Sequence, residues 1–157
     1  AIRLSRIALH ARTGKQQYKG HPDLEAFQGF YELCQHPLYY NGGIESLSDI
    51  RQILIRFPLL KGVFIGRGLL SSPLLAKEFK GNETFLPEQR MSIYFAFHEE
   101  LFSAYSQVLQ GETQLLVKMK TLWEYFLPET DRKLLKGIKK LTRLQQYTES
   151  VKAIFTS

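Results

Sequence analysis

The sequence predicts an α/β segment followed by an all-α one: the last three strand–helix units of a TIM (β/α)8 barrel, then a C-terminal helical bundle. Three observations predict it. Two apolar runs, Leu38-Tyr39-Tyr40-Asn41-Gly42-Gly43 and Gly62-Val63-Phe64-Ile65-Gly66-Arg67-Gly68, each stop at glycines and give way to a helical pattern. An earlier apolar run, Leu4 to Leu9, has the same texture. After Lys80-Gly81-Asn82 strand patterns cease and only helical periodicity remains. The expected division is residues 1–80 as partial barrel and 81–157 as a helical domain.

Taken in order, Leu4 to Leu9 reads as a strand that leaves through His10-Ala11-Arg12-Thr13-Gly14 into a long polar loop, and loops of that length usually carry function. Pro22 and Asp23 open a helix in which Leu24, Phe27, Tyr31 and Cys34 recur at helical spacing. Pro37 precedes a strand at Leu38 to Tyr40. Ser46 or Ser48 then caps a helix carrying Ile50, Ile53, Leu54 and Phe57, and Pro58 stops it before a strand at Val63 to Ile65. Ser72-Pro73 starts a short helix. Pro87 to Leu109 reads as one amphipathic helix with Met91, Tyr94, Phe95, His98, Leu101, Phe102 and Tyr105 inward. Further helices are expected over about 112–127, 129–141 and 143–155, with Gly111 and Pro128 between them.

At 157 residues, 44% hydrophobic and 13% aromatic, the chain has enough apolar surface for a core. No run reaches the roughly 18 to 20 apolar residues of a membrane span, and Ala1 opens no leader pattern, so the expectation is a soluble, cytoplasmic protein. The single cysteine, Cys34, cannot form an internal disulfide and is expected to be a small buried hydrophobe. His10, His21, His36 and His98 have no metal-ligand spacing, so no metal site is expected, and His98, set among aromatics, reads as a satisfied core histidine.

The net charge of +6 favours anionic partners. Residues 1–80 carry 11 Lys+Arg against 6 Asp+Glu, and residues 81–157 carry 10 against 9. Within the second half, Arg132, Lys136, Lys139, Lys140 and Arg143 advance at helical spacing with no acid among them, so a helix through them would carry one basic stripe. The glycines of the two strand-ending loops let backbone amides close on an anion, and Arg67 adds a planar fork suited to phosphate oxygens. A full barrel takes about 250 residues and eight strands. Three strands cannot close, so the chain is expected to be the C-terminal part of a longer protein, with two open sheet edges inviting a missing N-terminal barrel half or a second copy.

The strings Ile7-Ala8-Leu9-His10-Ala11-Arg12-Thr13, Tyr18-Lys19-Gly20, Tyr40-Asn41-Gly42 and Ile65-Gly66-Arg67-Gly68, in this order, resemble the tRNA-dihydrouridine synthase family over nearly the whole chain. The resemblance implies an FMN-dependent, NADPH-driven reduction of the C5–C6 double bond of selected tRNA uridines. It places His10 at the flavin ring and Asn41, Gly42, Gly43, Gly66 and Arg67 at the FMN phosphate and ribityl side. Arg12 and Lys19 lie in a loop that would face the tRNA, and Lys118 matches a basic family position near it. The stripe from Arg132 to Arg143 has no counterpart motif and rests on charge alone. The family usually has Asn-Gly-Asp where this chain has Asn41-Gly42-Gly43. Its catalytic cysteine and flavin-proximal lysine belong to earlier strands, so this polypeptide alone is expected to be inactive. Two alternatives stand beside this reading: a phosphate-binding TIM-barrel metabolic enzyme, and a non-catalytic RNA-binding fragment.

Overall fold

The computed structural model describes residues 4–16 and 20–156, so Lys19 of the expected tRNA-facing loop lies outside the described residues. The chain forms two compact units, residues 1–69 and 70–157. In the first, strand β1 (Ile7–His10), helix α1 (Leu24–Leu33), β2 (Leu38–Asn41), α2 (Leu47–Arg56) and β3 (Gly62–Phe64) follow in the expected order. The strands are all parallel, in spatial order β1-β2-β3. The register aligns His10 with Asn41 and Asn41 with Phe64, so the carboxyl ends of the three strands form one row.

Local chemistry explains the elements. Asp23 caps α1 by accepting from the Ala26 amide at 2.9 Å. Of the two candidate serines, Ser46 caps α2: its hydroxyl accepts from the Asp49 amide at 3.2 Å while the Asp49 carboxylate accepts from the Ser46 amide at 2.8 Å. The strand period of two turns Leu38 and Tyr40 into the core, where Phe27 meets Tyr40 and Phe57 edge-on at 4.9 and 5.0 Å, with Ile50 and Ile53 also buried. Tyr39 and Asn41 lie on the other face, where Tyr39 meets Phe64 edge-on at 5.8 Å. Cys34 differs from expectation: it is the C-cap residue of α1 and only half-buried, because the helix ends at the sheet margin.

Two short helices follow β3. Helix α3 (Arg67–Ser71) starts directly at the glycine loop, where sequence reading placed the first helix later, at Ser72-Pro73. Helix α4 (Leu75–Gly81) ends at Asn82 in the left-handed region, so Lys80-Gly81-Asn82 is a helix end inside the second unit. That unit continues with α5 (Pro87–Val108), α6 (Glu112–Leu122), α7 (Arg132–Lys140) and α8 (Leu144–Thr156). Its core gathers Tyr94 from α5, Leu115, Leu116 and Met119 from α6, Ile138 from α7, and Tyr147, Val151 and Ile154 from α8.

Two helix bounds differ from the periodicity. Helix α6 stops at Leu122 instead of running to Leu127, because Trp123 and Phe126 both plug the core, and the amides of Glu124 and Tyr125 reach back only three residues. Helix α7 begins at Arg132 rather than Glu129, since Asp131 caps it by accepting from the amides of Lys133 and Leu134. Arg143 consequently lies between α7 and α8, off the helical stripe.

The helical core encloses a polar chain. His98, 1% exposed, meets the Tyr147 hydroxyl through Nε2 at 2.7 Å, and the Trp123 indole N–H donates to the same hydroxyl at 2.9 Å. In the neutral tautomer protonated on Nδ1, Tyr147 donates to Nε2 and the Nδ1–H is directed at Glu99, 3.1 Å away. Burial lowers the His98 pKa, with Glu99 opposing, and burial raises that of Tyr147. Glu78, also buried, is held by Arg90.

Replacing Tyr147 with Phe strands two buried ring nitrogens and should cost about 1–3 kcal/mol in urea unfolding. Because the folded-state pKa of His98 is lowered, the unfolded chain takes up that proton first. His98 therefore contributes stability above about pH 6.5 that is lost as pH falls through its folded value. Unfolding midpoints that do not fall between pH 7.5 and 5.5 in wild type relative to His98→Gln would contradict this.

Candidate anion-binding site at the strand ends

The row of strand ends opens into a pocket of about 240 Å³, lined by His10, Arg12, Asn41, Gly42, Gly43, Ile44, Glu45, Phe64, Gly66 and Arg67. All six residues expected at a cofactor, His10, Asn41, Gly42, Gly43, Gly66 and Arg67, are thus brought together around one space. Their positions follow from the register: His10 and Asn41 end adjacent strands, and the two glycine loops continue from β2 and β3. Carboxyl ends of parallel strands are where open α/β sheets place ligands.

Two glycines are required by contact. Gly43 has φ +58°, and a Cβ there would stand 2.9 Å from Pro22 Cγ. An aspartate at this position, as the family resemblance leads one to expect, would bring its Cβ against that proline. Gly68, in the first turn of α3, lies so close to the preceding loop that a Cβ would fall 2.4 Å from the Ile44 carbonyl oxygen. That approach brings Gly66 and Arg67 against the Asn41–Glu45 loop. Gly66 itself has open space around its Cβ position.

Arg67 supplies one cation, and Glu45, a residue the sequence reading passed over, stands 3.8 Å from it. An acid following directly on a glycine loop was the available signal. Arg12 supplies a second cation; its Nη2 donates to the Gly20 carbonyl at 3.0 Å. On the other side of the Gly42–Ile44 loop a hollow of about 350 Å³ is lined by Tyr40, Asp49 and Arg56, among others, but Arg56 is already ion-paired to Glu25 at 2.6 Å. Cys34 lines a different, apolar hollow with Ile7, Phe30 and Leu33.

Of the expected RNA contacts, Arg12 lines the strand-end pocket of the first unit and Lys19 lies outside the described residues, while the others lie in the second unit. Lys118 on α6 is exposed, its ammonium 5.4 Å from the centroid of the Tyr105 ring. Arg132, Lys136, Lys139 and Lys140 are all exposed on α7, while Ile138 on the opposite side is buried. Lys120 is used internally, donating to the Leu141 carbonyl at 2.8 Å and so closing the end of α7. Among the described residues no group of three or more His, Cys, Asp or Glu side chains could hold a metal ion, and no helix is long and apolar enough to cross a membrane.

The pocket at the ends of the parallel strands is thus walled by glycines and lined by two guanidinium groups, those of Arg12 and Arg67. The dihydrouridine synthase family model matches residues 4–156, and the chain belongs to that family. It is 34% identical over 77 residues to a probable tRNA-dihydrouridine synthase of Aquifex aeolicus, covering 49% of this chain and 24% of that protein. It is 36% identical over 67 residues to a probable tRNA-dihydrouridine synthase of Rhizobium leguminosarum bv. phaseoli, covering 43% of this chain and 21% of that one. The chain thus spans about a quarter of the length of the curated relatives it matches.

The glycines should separate by their contacts. Gly68→Ala should lower stability by about 1–3 kcal/mol through overpacking against backbone, and Gly43→Ala by about 1–2 kcal/mol through its left-handed φ. Gly66→Ala should stay within about 0.5 kcal/mol. Equal losses in all three, measured by urea unfolding, would overturn this account of the loop.

Proposed function

We propose that the chain contributes the closing strands of the flavin-binding barrel of a tRNA-dihydrouridine synthase, over residues 1–80, and its helical tRNA-binding domain, over 81–157. The observation that carries this reading is the gathering of His10, Asn41, Gly42, Gly43, Gly66 and Arg67 around one pocket. The pocket fits the phosphate end of FMN: glycines at Gly43 and Gly68 admit close backbone approach, and Arg67 presents a planar fork. Asn41, the glycines and Arg67 hold the phosphate and ribityl chain, and His10, at the end of β1, orients the ring. When bound, FMN, reduced by NADPH, supplies the hydride for the C5–C6 bond of uridine.

The chain's own residues then position and exclude. The target uridine must leave its stack at a cost of a few kcal/mol, which backbone contacts elsewhere offset. Lys19, Lys118 and the α7 cations Arg132, Lys136, Lys139 and Lys140, with Arg143 beyond the helix end, provide such contacts, reading phosphates and shape. Cys34 lies outside the pocket lining, so this segment by itself brings no proton donor of that type to the site. The segment alone is therefore inactive and needs a preceding barrel portion, whose strands pair along the edges of β1 and β3 and could be replaced by a second copy. A family match running through the helical unit favours this reading over a metabolic barrel enzyme, which leaves the basic helix without a role. The reading places the protein in the cytoplasm, where tRNA is modified.

In the full native protein, flavin absorbance should co-purify, and its absence would sink the proposal. Lys118→Ala, Lys136→Ala and Lys139→Ala combined should weaken tRNA binding and flatten its salt dependence by up to about 3 units of log-log slope while flavin affinity is unchanged. Parallel loss of flavin and tRNA would refute the division of labour.

A further inference from the structure

We propose that Arg12, at the start of the loop after β1, is a second phosphate ligand of the pocket. The inference rests on the reading of the pocket as the seat of a cofactor phosphate. It reassigns Arg12 from the RNA side, where loop position alone would put it.

The backbone at Arg12 is fixed from both sides. Ala11 is buried, its amide donates to the Asn41 carbonyl at 3.0 Å, and its carbonyl accepts from the Asp23 amide at 2.8 Å. The side chain is therefore launched from a rigid point between the end of β2 and the start of α1. Its guanidinium runs beside the glycine loop: Nη2 stands 3.8 Å from where a Gly43 Cβ would be, and donates across the loop to the Gly20 carbonyl at 3.0 Å. Among the described residues, the buried Nε of Arg12 has no hydrogen-bond partner and no carboxylate forms an ion pair with Arg12. A buried guanidinium donor without an acceptor is a standing cost that a bound anion removes.

The pocket's charge points to the class of anion. Arg12 and Arg67 both line it, and Glu45 offsets only part of the charge, from a distance of 3.8 Å and a well-exposed side chain. Two planar forks flanking one space favour a phosphomonoester dianion over a singly charged carboxylate or diester.

The test compares FMN, riboflavin and inorganic phosphate on the full native protein. Arg12→Ala should weaken FMN and phosphate by roughly tenfold to a hundredfold, the worth of a charged hydrogen bond, and riboflavin by less than about twofold. Arg12→Lys, which keeps the charge and stem, should recover part of the loss. Equal losses for FMN and riboflavin would make Arg12 a merely structural residue, and unchanged FMN with weakened tRNA would return it to the RNA side; either overturns the proposal while the synthase reading stands. Wild-type protein that binds neither FMN nor phosphate would remove the pocket reading and this inference together.

Discussion

The in-register parallel pairing of three strands is the constraint on which the site depends. Aligning His10, Asn41 and Phe64 across β1, β2 and β3 places three loop origins side by side. A slip of one residue in any strand would exchange its two faces and send Tyr40 out of the core and Asn41 into it. The aromatic packing of Phe27 on Tyr40 and Phe57 resists that slip, since Tyr40 is buried only in this register. Core packing on one face of the sheet thus determines where the polar groups of the strand ends stand.

Glycine then converts strand ends into a pocket. A side chain at Gly68 would push α3 off the Ile44 carbonyl, and one at Gly43 would strike Pro22. Both contacts join loops that follow different strands, so each glycine closes a seam between neighbouring strand–helix units. The helical unit is organised otherwise: its core is continuous and aromatic, and its one polar chain, Trp123 to Tyr147 to His98, satisfies each ring atom it buries except where His98 turns outward to the partly exposed Glu99. Such a core holds helix faces in a fixed register.

Much of this was legible from residues in order. Asp23, Ser46 and Asp131 are cap residues with one mechanism each, and the glycine loops announced themselves by what they interrupt. What escaped had tertiary causes. Helix α3 hides in a glycine-rich string because its first turn is stabilised by packing on Ile44 rather than by propensity. The end of α6 follows from Trp123 and Phe126 both needing the core, which the nearby Pro128 masks in the sequence. Arg143 fits the spacing of a basic stripe, yet the Asp131 cap and the Lys120 contact with Leu141 define a helix that stops before it. Glu45 was marked only by its place just after a glycine loop, because its partner Arg67 is on another strand unit.

Arg12 shows why loop position and side-chain destination must be separated. Sequence places it in a long polar stretch, and such stretches face substrates; the backbone bonds of Ala11 to Asn41 and Asp23 instead anchor it at the base of that stretch. From there a long side chain has two directions, outward to solvent or back over the glycine loop. Burial of Nε and the bond to Gly20 select the second. Nη2 is committed to Gly20 while Nε is buried, and the pocket that Arg12 lines is one it shares with Arg67.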